Sequence, residues 1–278
     1  MALIEKKSMS KWDAELNRKV CDRYNNCDLT ITLKLFLNKV DPAGGAASQM
    51  FPDAGGTNRK IVRWGAKWST WTTKFRRDCE KAWHGKFWLK CPDSLTKWDY
   101  TDKGVTYRPN TWCRFRLKLV NSAGAAHHSI RCVRLDSTVP FFRSHSGLYD
   151  HRDITPVPQA HGSKKKTHVH EVGHLLGLPH VGVDGPIGIG WAKCLINVAV
   201  GGSTNDSVCY GASPEEKRDI MGSGSVIRAW HAAPWQEAIG KFSGLAKNMW
   251  RAETRRHYPR SLAEVRSKKW HHSKPSRG

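Results

Sequence analysis

No uncharged stretch of this chain reaches the roughly 18 residues that a bilayer-spanning helix needs, so a membrane-spanning protein is not expected. There is no Cys-x-x-Cys, which removes support from thiolate zinc ribbons and thioredoxin-like redox sites. The opening MALIEKKSMSKWDAEL lacks the apolar core of a secretory leader, and no internal repeat is visible. Acidic residues are scarce: 24 Asp and Glu stand against 46 Lys and Arg, a formal net charge of +22.

What remains is an ordinary globular composition. The length of 278 residues suits one or two domains, and 39% hydrophobic residues can build a core. The positive excess favours anionic partners such as nucleic acid, anionic lipid or acidic wall polymers; the plainer reading is a solvated basic surface. Trp64, Trp68, Trp71, Trp83, Trp88 and Trp98 crowd one stretch. Such residues can stack on bases, but more often they pack a core. The eight cysteines (Cys21, Cys27, Cys79, Cys91, Cys113, Cys132, Cys194 and Cys209) are dispersed. An even, dispersed set fits disulfides and an oxidising destination; the alternative is eight reduced, half-buried thiols. Cys21 and Cys27 read as one local pair, and Cys194 and Cys209 as a staple across their loop.

Along the chain, Trp12, Leu16 and Val20 are spaced as a short helix. Residues 29–40 (LTITLKLFLNKV) alternate as a half-buried strand, and 41–58 read as a Gly- and Ala-rich loop. Trp68, Trp71, Phe75, Cys79 and Trp83 recur at three or four residues and predict a helix over 64–83. Strands are expected over 86–91, 113–120 and 129–135, the last two with one apolar and one basic face. Residues 137–167 read as mostly irregular, including Lys164, Lys165 and Lys166, which would oppose a helix dipole. A helix covers 169–176, and 177–211 show little periodicity. Trp235, Ile239, Phe242, Ala246 and Met249 mark an amphipathic helix after Pro234. Residues 251–278 read as a mobile basic tail.

The decisive segment is His170-Glu171-Val172-Gly173-His174-Leu175-Leu176-Gly177-Leu178-Pro179-His180. Random placement would give this HExxHxxGxxH pattern about once in ten thousand such chains. Four residues apart, His170 and His174 present both imidazoles from one helical face. Glu171 is placed to act as general base. Gly177 can take a positive φ, end the helix and return His180 as third ligand. Three neutral imidazoles with one open position are the donor set of a catalytic zinc ion. His168 is expected on the solvent side of the helix, and His127-His128 and His271-His272 as surface pairs.

This segment, with Asp219-Ile220-Met221-Gly222 downstream, resembles the metzincin clan of zinc metallopeptidases. The resemblance makes Met221 the methionine beneath the metal histidines. It implies an α+β fold: a mixed twisted sheet with a backing helix and the zinc helix, then a small irregular C-terminal subdomain ending in a helix. The organisation it implies is an N-terminal segment (1–27), a catalytic domain (28–250, with subdomains 28–177 and 178–250) and the basic tail (251–278). Some members carry a Tyr two residues after the Met; here Ser223 stands there. His231 is a candidate substrate or oxyanion contact, against the plainer reading of an exposed turn histidine. Residues 141–148 are the candidate substrate-pairing edge strand. The stretch from Met221 through His231 to Trp235 is also similar to metallopeptidase domains of contractile-injection effectors.

The expected activity is therefore zinc-dependent endopeptidase, an exported or injected effector or toxin. The alternative is a zinc amide hydrolase acting on peptidoglycan or another anionic envelope substrate. A basic polymer binder without catalysis is disfavoured by the intact His170, Glu171, His174 and His180. The expected partners are a peptide substrate, an anionic surface and an inhibitor or immunity protein, with nucleic acid not expected and the chain a monomer. The expected location is outside the producing cytoplasm, reached without a signal peptide.

Overall fold

The computed structural model describes residues 3–184, 189–202 and 207–266. In chain order the first elements are β1 (Ile4–Ser8), β2 (Asp13–Asn17), β3 (Cys27–Val40), β4 (Ser48–Pro52), β5 (Asn58–Val62) and α1 (Lys67–Trp83). There follow β6 (Phe87–Lys90), β7 (Tyr100–Asp102), β8 (Val105–Arg108), β9 (Thr111–Leu119), β10 (His128–Leu135) and β11 (Leu148–Asp150). A hairpin of β12 (Val157–Pro158) and β13 (Lys164–Lys165) precedes α2 (Thr167–Leu175). The remainder holds α3 (Val181–Asp184), α4 (Ile189–Ala199), α5 (Pro214–Lys217), α6 (Ala233–Ser243), β14 (Arg251–Glu253), β15 (Arg260–Ser261) and α7 (Leu262–Arg266). The architecture is α+β around one mixed sheet, with β14-β6-β9-β3-β10-β5-β4 as its main path.

The centre of the sheet is parallel. β3 runs parallel to β9, with Leu29 opposite Cys113 and Leu33 opposite Leu117, and parallel to β10 on its other side. Along β3, Leu29, Ile31, Leu33 and Leu35 are buried while Thr30, Thr32 and Lys34 are half-buried, as strand alternation requires. The buried face joins one continuous core with Phe75, Cys79 and Trp83 of α1, Val169 and Val172 of α2, and Trp235 and Ile239 of α6. Trp83 Nε1 donates to Val169 O (3.3 Å) and Trp64 Nε1 to Cys132 O (3.0 Å), so the large rings bury area and still satisfy their N–H groups. Four of the six crowded tryptophans (Trp64, Trp71, Trp83 and Trp98) are buried, which is core packing.

Several expectations differ. The segment around Trp12 is the strand β2, not a helix: Trp12, Ala14 and Leu16 are all buried, a period of two that pairing with β3 enforces. Residues 41–58 hold β4 and the start of β5, whose pairing rests on backbone bonds and needs no apolar stripe. The stretch 177–211 contains the helices α3 and α4. The helix α6 stops at Ser243 because Gly244 takes a left-handed conformation (φ 75°), leaving Met249 half exposed. The chain after Trp250 does not leave the fold at once. β14 pairs with β6, β15 with β8, and Asn110 Nδ2 donates to Tyr258 O (2.7 Å). Among the described residues, no helix is long and apolar enough to cross a membrane.

Candidate metal centre

The helix α2 begins after Lys166, which a buried acid of α1 holds together with Lys74 of that helix. Asp78 Oδ2 accepts from Lys74 Nζ (2.6 Å) and from Lys166 Nζ (3.2 Å). Burial pushes the Asp78 carboxyl up, but these bonds outweigh it and hold the group below the usual carboxylate range. Gly177 ends the helix with φ 96°, as expected, and Leu178 N donates back to Gly173 O (3.0 Å). The turn brings His180 back beside His174.

The three imidazoles converge. His174 Nε2 lies 3.1 Å from His170 Nε2 and 3.0 Å from His180 Nε2. The opposite nitrogens decide what this closeness means. His170 Nδ1 faces Ile220 O at 2.8 Å and His174 Nδ1 faces Leu178 O at 2.8 Å. A carbonyl only accepts, so each Nδ1 carries the proton and each Nε2 presents a lone pair. Two lone pairs facing each other cannot hydrogen-bond, but both can be donated to a shared cation. In a tetrahedral site with metal–nitrogen bonds of about 2.0–2.1 Å, neighbouring donor atoms lie roughly 3.3 Å apart. His170, His174 and His180 thus form a cluster close enough to bind one metal ion. Burial drives the pKa of His170 and His174 down, which keeps both rings neutral as ligands must be.

Glu171 is buried next to the first ligand, and burial raises its carboxyl to about 7 against the pull of Lys165. It lines a cleft of about 590 Å³ together with His174, His180, Arg143, His145 and Tyr210. The Tyr210 ring packs on His180 with centroids 3.9 Å apart, and Lys165 Nζ sits 4.8 Å from the other ring's centre of that pair, Tyr210. Nothing in the spacing of the motif points to Tyr210, which arrives from the turn after α4. That turn is stapled to α4 by the Cys194–Cys209 disulfide. Ser223 instead donates its hydroxyl to Lys217 O (3.2 Å).

Met221 is fully buried under α2. A Cβ added to Gly173 would lie 2.4 Å from Met221 Sδ, so glycine at that helical position is what lets the methionine seat beneath the ligands. The segment is held by Asp219, a fully buried carboxylate. Its Oδ1 accepts from Met221 N (2.8 Å) and His231 Nε2 (2.8 Å), its Oδ2 accepts from Trp230 Nε1 (3.2 Å), and Arg228 Nε forms an ion pair with Oδ2 (3.2 Å). His231 is therefore not a substrate or oxyanion contact. It is wholly buried, with Nδ1 accepting from Arg228 N (2.8 Å) and Nε2 spent on Asp219.

The other histidines also move from their expected places. His168 is buried, not solvated: its Nδ1 bonds Asp153 O (2.9 Å), its ring packs on Phe75, and burial lowers its pKa to about 4. His127 is half-buried and accepts from Lys34 N at Nδ1 (2.9 Å), and His128 is half-buried beside it. His271 and His272 lie outside the described residues. Of the candidate segment 141–148, Arg143 and His145 border the cleft, but only Leu148 belongs to a strand, β11, which pairs with β10. Arg143 O already accepts from Ala54 N (2.9 Å), and Ser144 Oγ donates to the buried Asp153 (2.7 Å). Cys21 and Cys27 do meet, Sγ to Sγ at 2.9 Å, but as thiols.

Comparison with known proteins adds no name to this arrangement: no family model, no curated protein and no solved structure matches the chain.

Proposed function

We propose that the chain is a zinc-dependent endopeptidase of metzincin type, with His170, His174 and His180 as the metal ligands and Glu171 as general base. One observation carries the reading: unprotonated imidazole nitrogens converge beside a single buried carboxyl in an open cleft. The seating of Met221 beneath Gly173 supports it. Zinc, when bound, supplies a Lewis acid for the scissile carbonyl and lowers the pKa of water toward 7. Glu171 takes a proton from the attacking water and later returns it to the leaving amine. Burial raises the affinity of the Glu171 carboxyl for a proton, the direction a general base needs. The protons on His170 and His174 are fixed at Nδ1 by Ile220 O and Leu178 O, so neither ring competes with Glu171 for them.

The charge of +22 supports delivery to anionic material such as an envelope or wall, and an exported or injected effector fits that surface. Digestion of casein and of purified cell wall in parallel, with and without chelator, separates a peptidase from an envelope amide hydrolase. Glu171→Ala is expected to retain zinc, measured by metal analysis, and to lose cleavage by at least about a hundredfold. Full activity in that variant overturns the mechanism.

A further inference from the structure

The cleft has an uneven charge. Among its described lining residues Glu171 is the one carboxylate, and Arg143 brings a guanidinium to the rim. Arg143 is exposed, yet its position is defined. Its carbonyl is tied to Ala54 N, its neighbour Phe142 is buried, and its side chain lies across Gly55, where a Cβ would meet Arg143 Cδ at 3.4 Å. Among the described residues no carboxylate forms an ion pair with it. The neighbouring acid, Asp53, is already engaged by Gly55 N (2.9 Å), Thr57 N (3.0 Å) and Arg59 Nε (3.2 Å). Lys165 adds a second cation at the Tyr210 wall. An arginine fork at the rim of the cleft, without an ion pair among the described residues, matches the shape and charge of a carboxylate.

We propose that Arg143 binds a carboxylate of the substrate, so that the cleft selects peptides carrying an acidic group close to the bond presented to the metal centre. The proposal rests on the peptidase reading and deepens it by naming the substrate class. The carboxylate has two sources, an Asp or Glu side chain or the peptide's own C-terminus, and the chemistry at Arg143 is the same for both.

The probe is a set of fluorescein-labelled, alanine-based octapeptides. Each carries one Asp, Asn or Lys at an interior position, with the C-terminus free or amidated. Binding is read by anisotropy on zinc-loaded Glu171→Gln protein, and hydrolysis in parallel on the zinc-loaded native chain. A charge-assisted hydrogen bond predicts that the preferred Asp peptide binds roughly ten to a hundred times tighter than its Asn counterpart. That preference should fall to within about twofold when Arg143→Gln is added, return in part with Arg143→Lys, and pass to the Lys peptide with Arg143→Glu. If amidation weakens the Asp and Asn peptides alike, the terminal carboxylate is the ligand; if a position-dependent preference for Asp over Asn survives amidation, the side chain is. Equal binding of all the peptides, Asp or Asn and with the C-terminus free or amidated, overturns the proposal. Selective binding without hydrolysis of any peptide by the native chain overturns the peptidase reading and leaves the Arg143 site standing. Hydrolysis without acidic preference does the reverse.

Discussion

The two sides of the metal centre are held by opposite means. Above it, α2 rests on an apolar floor: Phe75, Cys79, Trp83, Val169 and Val172 meet the sheet with little polar content. Below it, Ile220 and Met221 also enter the core, but the turn that carries them gathers its polar contacts on one carboxylate: Asp219 accepts from Met221 N, Trp230 Nε1 and His231 Nε2 and pairs with Arg228. Many small dispersion contacts share the load in the first region, and one charge concentrates it in the second. The lesson is that the upper half should degrade gradually under substitution and the lower half abruptly.

The largest effect is expected at the hub. Asp219→Ala strands the buried His231 and the Trp230 and Met221 N–H groups, and should cost about 3–5 kcal/mol in denaturant unfolding. A loss below about 1 kcal/mol would remove the contrast between the halves. Truncation sharpens it next. Ending the chain at Trp250 removes β14 and β15 and exposes their partners on β6 and β8, so a cost of several kcal/mol is expected. At the seam between the halves, Gly173→Ala drives a methyl into Met221 and Trp83 Cζ2; a loss of about 1–3 kcal/mol with weakened zinc affinity is the outcome to look for by calorimetry. In the apolar floor, Ile31→Val should cost only about 0.5–1.5 kcal/mol and leave metal affinity unchanged. A shift in metal affinity there would show that the floor is no softer than the hub.

The same division governs what can be read from the chain without its structure. The helix α2, its histidines and its Gly177 stop are written in local spacing, and the middle of β3 and β9 in strict alternation, which β10 breaks at Cys132 and Val133. Helical and strand periods compete wherever few residues carry the signal. Trp12 and Leu16 fit a helix by position, yet Ala14 between them is buried, which only a strand explains. β4 is mostly exposed and has no apolar pattern to detect. The Asp219 hub gathers its partners from positions 221, 228, 230 and 231, a set with no period, so local spacing shows Asp219 only as part of a turn and leaves His231 between a cleft contact and an exposed turn residue. Arg143 and Tyr210 reach the cleft from irregular segments far apart in the chain, and only the fold brings them to the ligands.

The acceptors that orient His170 and His174 are the main-chain carbonyls of Ile220 and Leu178. Every amino acid supplies that carbonyl, so no replacement at either position can delete the acceptor; only a backbone displacement can. The side chains at 220 and 178 are then free to change with the packing around them while the tautomers of the ligands persist. Inheritance of the metal centre is in this sense partly independent of the residue alphabet. A variant that retains the path of the chain retains the orientation of its imidazoles, whatever letters it carries at those two places.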